Sequence, residues 1–151
     1  MRWITRENVK VDRVACPWLI TRFVDRDAEF LFVPESELRG PSVPARRPFD
    51  ATRFAEVRLN HRGDRSTFEA ILEDYDLSEP ALHRFGELVR AADVEGQEHV
   101  TPEGLGLRAI AEGFASLGIS DEERLQLEFP LYDALYAYAQ RRSGGERADR
   151  P

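Results

Sequence analysis

Cys16 is the only cysteine of the chain, and it stands between an apolar segment, Val9 to Ala15, and a Pro-Trp pair. Proline in a first helical turn is preorganised and gives up an N–H that would have no intrahelical partner, so Pro17 predicts a helix beginning just after Cys16. The thiol would then sit at an N-cap, where free N–H groups and the positive end of the helix dipole favour the thiolate, the form that attacks electrophiles and binds soft metals. A lone cysteine is more often a small apolar core residue, and position alone leaves both roles standing.

His61 is the second candidate. It follows a predicted strand, Glu56 to Asn60, and precedes Ser66-Thr67-Phe68-Glu69, a capping box that opens a helix from about Thr67 to Tyr75. Strand ends beside helix starts are where open α/β sheets place ligands. Were the two strands neighbours, thiol and imidazole would meet at one edge, with Asp12 and Asp64 close by in sequence. That pairing suits nucleophilic chemistry, with Cys16 as nucleophile and His61 as base, or a soft transition metal. Sequence does not order the strands, and a surface turn accounts for His61 equally well.

Other residues have narrower claims. Asp93 ends an apolar helical face before a turn at Gly96, although the helix dipole opposes an acid at a C-terminus. Arg13, Arg62 and Arg65 lie near the two junctions as planar donors to an oxyanion, and Arg46 and Arg47 occupy an irregular stretch as further anion contacts. His83 falls within a helix and His99 in a polar loop. No His-x-x-x-His or Cys-x-x-Cys spacing supports a closed zinc site. Glu128 is expected to face solvent. No glycine-rich phosphate loop, dinucleotide fingerprint or nucleophile elbow is present, so nucleotide-dependent and serine-hydrolase chemistry lack support.

The elements that must position these residues read as a small sheet of about three strands in the N-terminal half, packed by a mostly helical C-terminal half, an α/β architecture. Val9 to Ala15 reads as a strand, Pro17 to about Val24 as a helix and Glu29 to Pro34 as a second strand, together a β-α-β unit. Residues 35–53, with three prolines and paired arginines, read as an irregular loop. After the helix at Thr67, a helix follows Ser78 to about Ala92, another opens at Thr101-Pro102 and runs to about Leu117, and Ser120 with Glu123 caps a last one reaching about Arg141. Pro130 should kink or interrupt that helix. Leu131, Leu135 and Tyr138, with Tyr132 beside them, predict its core-facing stripe. Residues 1–142 read as one domain and 143–151 as a disordered tail.

The chain has 151 residues and a net charge of −7, which opposes nucleic-acid phosphates, so no nucleic-acid binding is expected of this domain alone. Lys10 is the only lysine, and the 21 basic residues are otherwise arginine. With one cysteine, no secretory leader after Met-Arg-Trp-Ile and no apolar run near the ~20 residues of a membrane span, a soluble cytoplasmic protein is expected.

Four segments resemble the C-terminal domain family of the chromate-resistance protein ChrB. They are KVDRVACPWLITRFVDRDAEFLFVP at 10–34, LNHRGDRSTFEAIL at 59–72, LVRAADV at 88–94 and PLYDALYAYA at 130–139. Members of that family are associated with bacterial chromate-resistance operons as regulators or sensors, and similar domains occur fused to rhodanese-like modules. The resemblance implies a functional set of Asp12, Cys16, His61 and Asp93 as ligands of a divalent transition metal, with chromate or a related oxyanion as partner. It departs from the family where Ser66 replaces a second cysteine and where the last helix, near Leu125 to Glu128, lacks a histidine. Three functions follow as expectations: a metal- or oxyanion-responsive sensor or accessory domain, a thiol-dependent reductase or sulfur-transfer enzyme using Cys16, and a non-catalytic module that docks a protein partner.

Overall fold

Trp3, Ile4 and Thr5 are buried to within 1 % of full enclosure, and they form the middle strand of the sheet. In a computed structural model, which describes residues 1–38, 46–54 and 56–144, β1 (Arg2–Arg6) lies between β2 (Glu29–Val33) and β3 (Arg47–Pro48) in the order β2-β1-β3, both pairs parallel. Trp3 pairs with Phe30 and Arg47, and Ile4 with Leu31 and Pro48. Alternate residues of a strand face opposite sides: Trp3 joins the main core cluster, and Ile4 joins a smaller one with Leu38, Ala51 and Val57.

The expected three-strand sheet and helical C-terminal half are present, but two strands differ. The segment Val9 to Ala15 is not a strand: α1 runs Asp12–Leu19 and continues as a π-helical turn, Ile20–Val24. Val11, Val14, Ala15, Trp18 and Leu19 follow the i, i+3, i+4, i+7, i+8 spacing of a buried helix, and every residue of α1 is buried. Pro17 therefore sits inside the helix rather than at its start. The β-α-β unit exists with β1 as its first strand. Glu56 to Asn60 contributes one bridge, Leu59 to Phe49, because its neighbouring carbonyls are taken by other donors. Asn60 Nδ2 donates to the carbonyls of Ala51, Phe54 and Val57. Within 35–53 there is order as well, a 3₁₀ turn at Glu35–Leu38 and β3; residues 39–45 and the expected tail beyond 144 lie outside the described residues.

The later helices follow local signals closely. α2 (Thr67–Asp74) begins with the complete Ser66/Glu69 capping box, α3 spans Pro80–Asp93, α4 Glu103–Ala115 and α5 Asp121–Ser143. Ser120 accepts the Glu123 N–H. Pro130 does not interrupt α5. The face of α5 that turns inward is Arg124, Glu128, Tyr132 and Ala139; of the expected stripe, Tyr132 is enclosed and Leu135 packs against the core, whereas Leu131 and Tyr138 are exposed. Glu128, expected in solvent, is fully enclosed and accepts from Arg124 Nε at 3.0 Å. Phe85 of α3 stacks on Trp18, Phe68 and Tyr132 at centroid separations of 5.1, 5.4 and 5.8 Å, joining α1, α2 and α5. No helix among the described residues is long and apolar enough to cross a membrane.

Candidate metal centre

The centre is built where four segments converge. Asp12 is the first residue of α1, Asp50 follows β3, His61 lies in the loop before α2, and Asp93 is the last residue of α3. Asp12 is buried, and its oxygens accept the N–H groups of Thr67 at 2.9 Å and Phe68 at 3.2 Å, the open first turn of α2. Negative charge is favoured at such a terminus. Asp50 holds a left-handed φ of 47°, a conformation aspartate tolerates better than most residues. That turn directs its carboxylate to Thr67 Oγ1 at 2.8 Å and to Arg13, 3.3 Å away.

His61 Nε2 meets all three acids, at 3.0 Å from Asp12, 3.2 Å from Asp93 and 3.5 Å from Asp50. Hydrogen bonds to Asp12 and then to Asp93 raise its pKa to about 10, against the opposing effect of burial. Burial, with the charge of Asp93 next, raises that of Asp12, and the same two causes raise Asp50. One nitrogen carries one proton, yet three carboxylates surround it. Taken with a neutral imidazole, three carboxylates and the Arg13 guanidinium leave two negative charges, which one divalent cation would balance.

Ligand atoms from Asp12, His61 and Asp93 lie within 4.8 Å of one another. Ligands bound at about 2.1 Å in octahedral geometry are separated by about 3.0 Å along each edge, and the two closest separations here match that spacing. One imidazole and two carboxylates make a hard-to-intermediate donor set, suited to zinc, iron, manganese or nickel rather than to the soft ions that thiolates select.

Cys16 is beside this cluster but is not a thiolate at a helix end. It is fully buried in the middle of α1, where its Sγ donates to Asp12 Oδ1 at 3.5 Å. Burial first, then the charges of Asp12 and Asp50, push its pKa well above the usual thiol value. The expected N-cap activation is corrected by the earlier start of α1, which removes the free N–H groups from the sulfur.

Arg13 is paired inside the cluster, whereas Arg62, Arg65 and Arg47 are engaged outside it. Arg13 is buried on Asp50 and the Asn8 carbonyl; Arg62 binds Asp74 and Glu73, and Arg65 binds Glu73. Arg47 donates to the Tyr75 hydroxyl and covers the Trp3 ring, and Arg46 is half-buried before β3. His83 lies 3.0 Å from the Leu77 carbonyl, while His99 falls between α3 and α4 and Asp64 in an exposed turn, neither in the cluster. Asp50 was not singled out by sequence; its signal is an acid directly after a strand, the position at which His61 drew attention.

Two clefts open on the cluster. One of about 260 Å³ is bordered by Asp93, Lys10 and Arg108 over Val11, Ala92 and Ala111. The other, about 400 Å³, is bordered by His61, Asn60, Arg58 and Arg62. The buried Asn60 Oδ1 has no hydrogen-bond partner.

Residues 3–139 match the family described as ChrB, C-terminal domain. The chain belongs to the ChrB C-terminal domain family. Protein ChrB of Cupriavidus metallidurans is 35 % identical over 140 residues, which cover 91 % of this chain and 40 % of that protein. This ChrB C-terminal domain thus spans less than half the length of the relative it matches. No solved structure matches it. The four segments that carried the resemblance fall on α1 through β2, the loop into α2, the end of α3 and the second half of α5, which are the elements that place Asp12, His61 and Asp93 or pack against them.

Proposed function

We propose that this ChrB C-terminal domain binds a divalent transition metal through Asp12, His61 and Asp93, with Asp50 beside them, and acts in the cytoplasm as a sensor or accessory domain in chromate or heavy-metal stress. The observation that carries the reading is the oversubscribed His61 nitrogen: three carboxylates at 3.0–3.5 Å around one donor are better served by a cation than by a proton. Metal binding would require His61 to lose its proton, as metal ligation by imidazole does generally. An oxyanion would reach the metal through either cleft. Arg62 borders the cleft at His61, Arg13 is paired with Asp50 of the cluster, and Arg65 holds Glu73. The buried, protonated Cys16 supports a packing role over the alternative of a thiol-dependent reductase.

The test is elemental analysis of tag-free protein, for the native chain and for His61→Ala, with melting temperatures recorded after metal is removed and restored. Stoichiometric metal in the native chain, absent from His61→Ala, and a melting temperature that rises on reloading are expected. A native chain that neither carries a transition metal nor melts higher in its presence would sink the proposal.

A further inference from the structure

An apolar opening lies apart from the residues that border the candidate metal centre. It is a groove of about 520 Å³ between α4 and α5, with Leu107, Ile110, Leu131, Ala134, Leu135 and Tyr138 along it. Ile110, Leu131 and Tyr138 are 41 %, 37 % and 40 % exposed, and Leu127, one turn before Leu131 on α5, extends the exposed apolar strip. Tyr138 donates to Glu103 at 2.7 Å, bracing the two helices at one end of the groove.

On α5 the strip continues into charge. Glu123, Leu127, Leu131, Ala134, Tyr138 and Arg142 succeed one another at steps of three or four residues, which keeps them within one stripe about 100° wide. The stripe is acidic at its start, where Asp121, Glu122 and Glu123 form the first turn, and basic at its end, where Arg141 and Arg142 form the last. Its midpoint falls between Leu131 and Ala134. A second copy laid antiparallel across this face, about a two-fold axis at that midpoint, would set the acidic end of each α5 against the basic end of the other. Small Ala134 at the crossing permits close approach of the two helices, and α4 with α5 from each copy would complete a four-helix layer.

We propose that this face is the interface of a homodimer, with α4 and α5 packed on their two-fold mates and Glu123 of each copy paired with Arg142 of the other. The adjoining face of α5, about a quarter turn round and carrying Arg124, Glu128 and Tyr132, points inward, and the cleft at Asp93 is bordered by Arg108 and Ala111, not by the groove residues of α4, so dimerisation leaves the candidate metal centre and its clefts open. The proposal is independent of whether metal binds.

Sedimentation velocity on the full chain, 17.3 kDa per copy, is expected to give a species of twice that mass. L131E and, independently, I110E are expected to give monomers whose circular dichroism remains helical. E123R alone and R142E alone place like charges at both ends of the antiparallel pair and are expected to be monomeric. Mixed together in equal amounts, these two chains are complementary at both ends and are expected to form a heterodimer. A monomeric native chain overturns the proposal and leaves the groove to a different protein; so does a dimer that persists in folded L131E and I110E, or a mixture of the charge variants that stays monomeric.

Discussion

Asp12 Oδ2 lies 3.0 Å from His61 Nε2 and 2.9 Å from the Thr67 N–H, so one carboxylate oxygen joins the imidazole of the candidate centre to the first turn of α2. Its partner oxygen takes the Phe68 N–H. Removing this carboxylate therefore acts twice. Asp12→Ala should lose bound metal and leave two buried N–H groups unpaired, at a cost of about 1–3 kcal/mol each at most. Asp12→Asn keeps an acceptor for the helix and should lose metal with a smaller fall in stability. Urea denaturation beside elemental analysis separates the two effects; equal metal content in Asp12→Asn and the native chain would contradict the ligand assignment.

Cys16 is expected to be inert in the folded protein. A thiol-reactive chromogenic disulfide should label it only as the chain unfolds, with labelling rising through the same denaturant range as loss of helix. Cys16→Ala should retain metal and lose on the order of 1–2 kcal/mol of stability, the cost of a small void. Fast labelling of native protein would restore the nucleophile.

The buried Arg124–Glu128 pair ties α5 to its surroundings, since Arg124 Nη1 donates to the Val9 carbonyl and Nη2 to that of Ala111. This holds the segment that leads into Asp12. Arg124→Leu strands an enclosed carboxylate, for which a loss of about 3–5 kcal/mol is expected. The double variant Arg124→Leu/Glu128→Leu removes that burden and should be the more stable of the two by equilibrium unfolding. A single variant no less stable than the double would show that the pair does not bear on the fold.

Asp74 gives the pH dependence. Hydrogen bonds from Arg62, and then from Arg58, draw its pKa from 3.8 to about 2. A carboxylate whose folded pKa is depressed stabilises the fold above its unfolded value and ceases to do so as pH falls through the folded one. The melting-temperature gap between the native chain and Asp74→Asn should therefore be constant from neutral pH down to about 5, narrow below about 4 and close near 2. A gap that stays fully open as pH falls through 2 and below would assign the effect to lost packing.

Helix caps and apolar spacing were readable from the chain because they act over three or four residues. The Ser66/Glu69 box and Ser120 place α2 and α5 where local hydrogen bonding requires. The candidate metal ligands were likewise visible as residue types at element junctions, and the family resemblance joined Asp12, Cys16, His61 and Asp93 into one set, of which the structure brings Asp12, His61 and Asp93 together as ligand atoms. Other choices rest on contacts between distant segments. Trp3 to Thr5 form a strand because both neighbours supply ladder partners and both faces are covered, which no alternation in five residues can announce. Pro17 suggested a helix start, but burial along Val11, Val14, Trp18 and Leu19 carries α1 through it. Leu131 and Tyr138 have the spacing of a core stripe; which stripe of α5 turns inward was decided by Tyr132 stacking on Phe85 and by Arg124 reaching Val9. The meeting of Asp12, Asp50 and Asp93 at a single imidazole belongs to the tertiary structure alone, because charges so far apart along the chain are brought together only by packing that outweighs their repulsion.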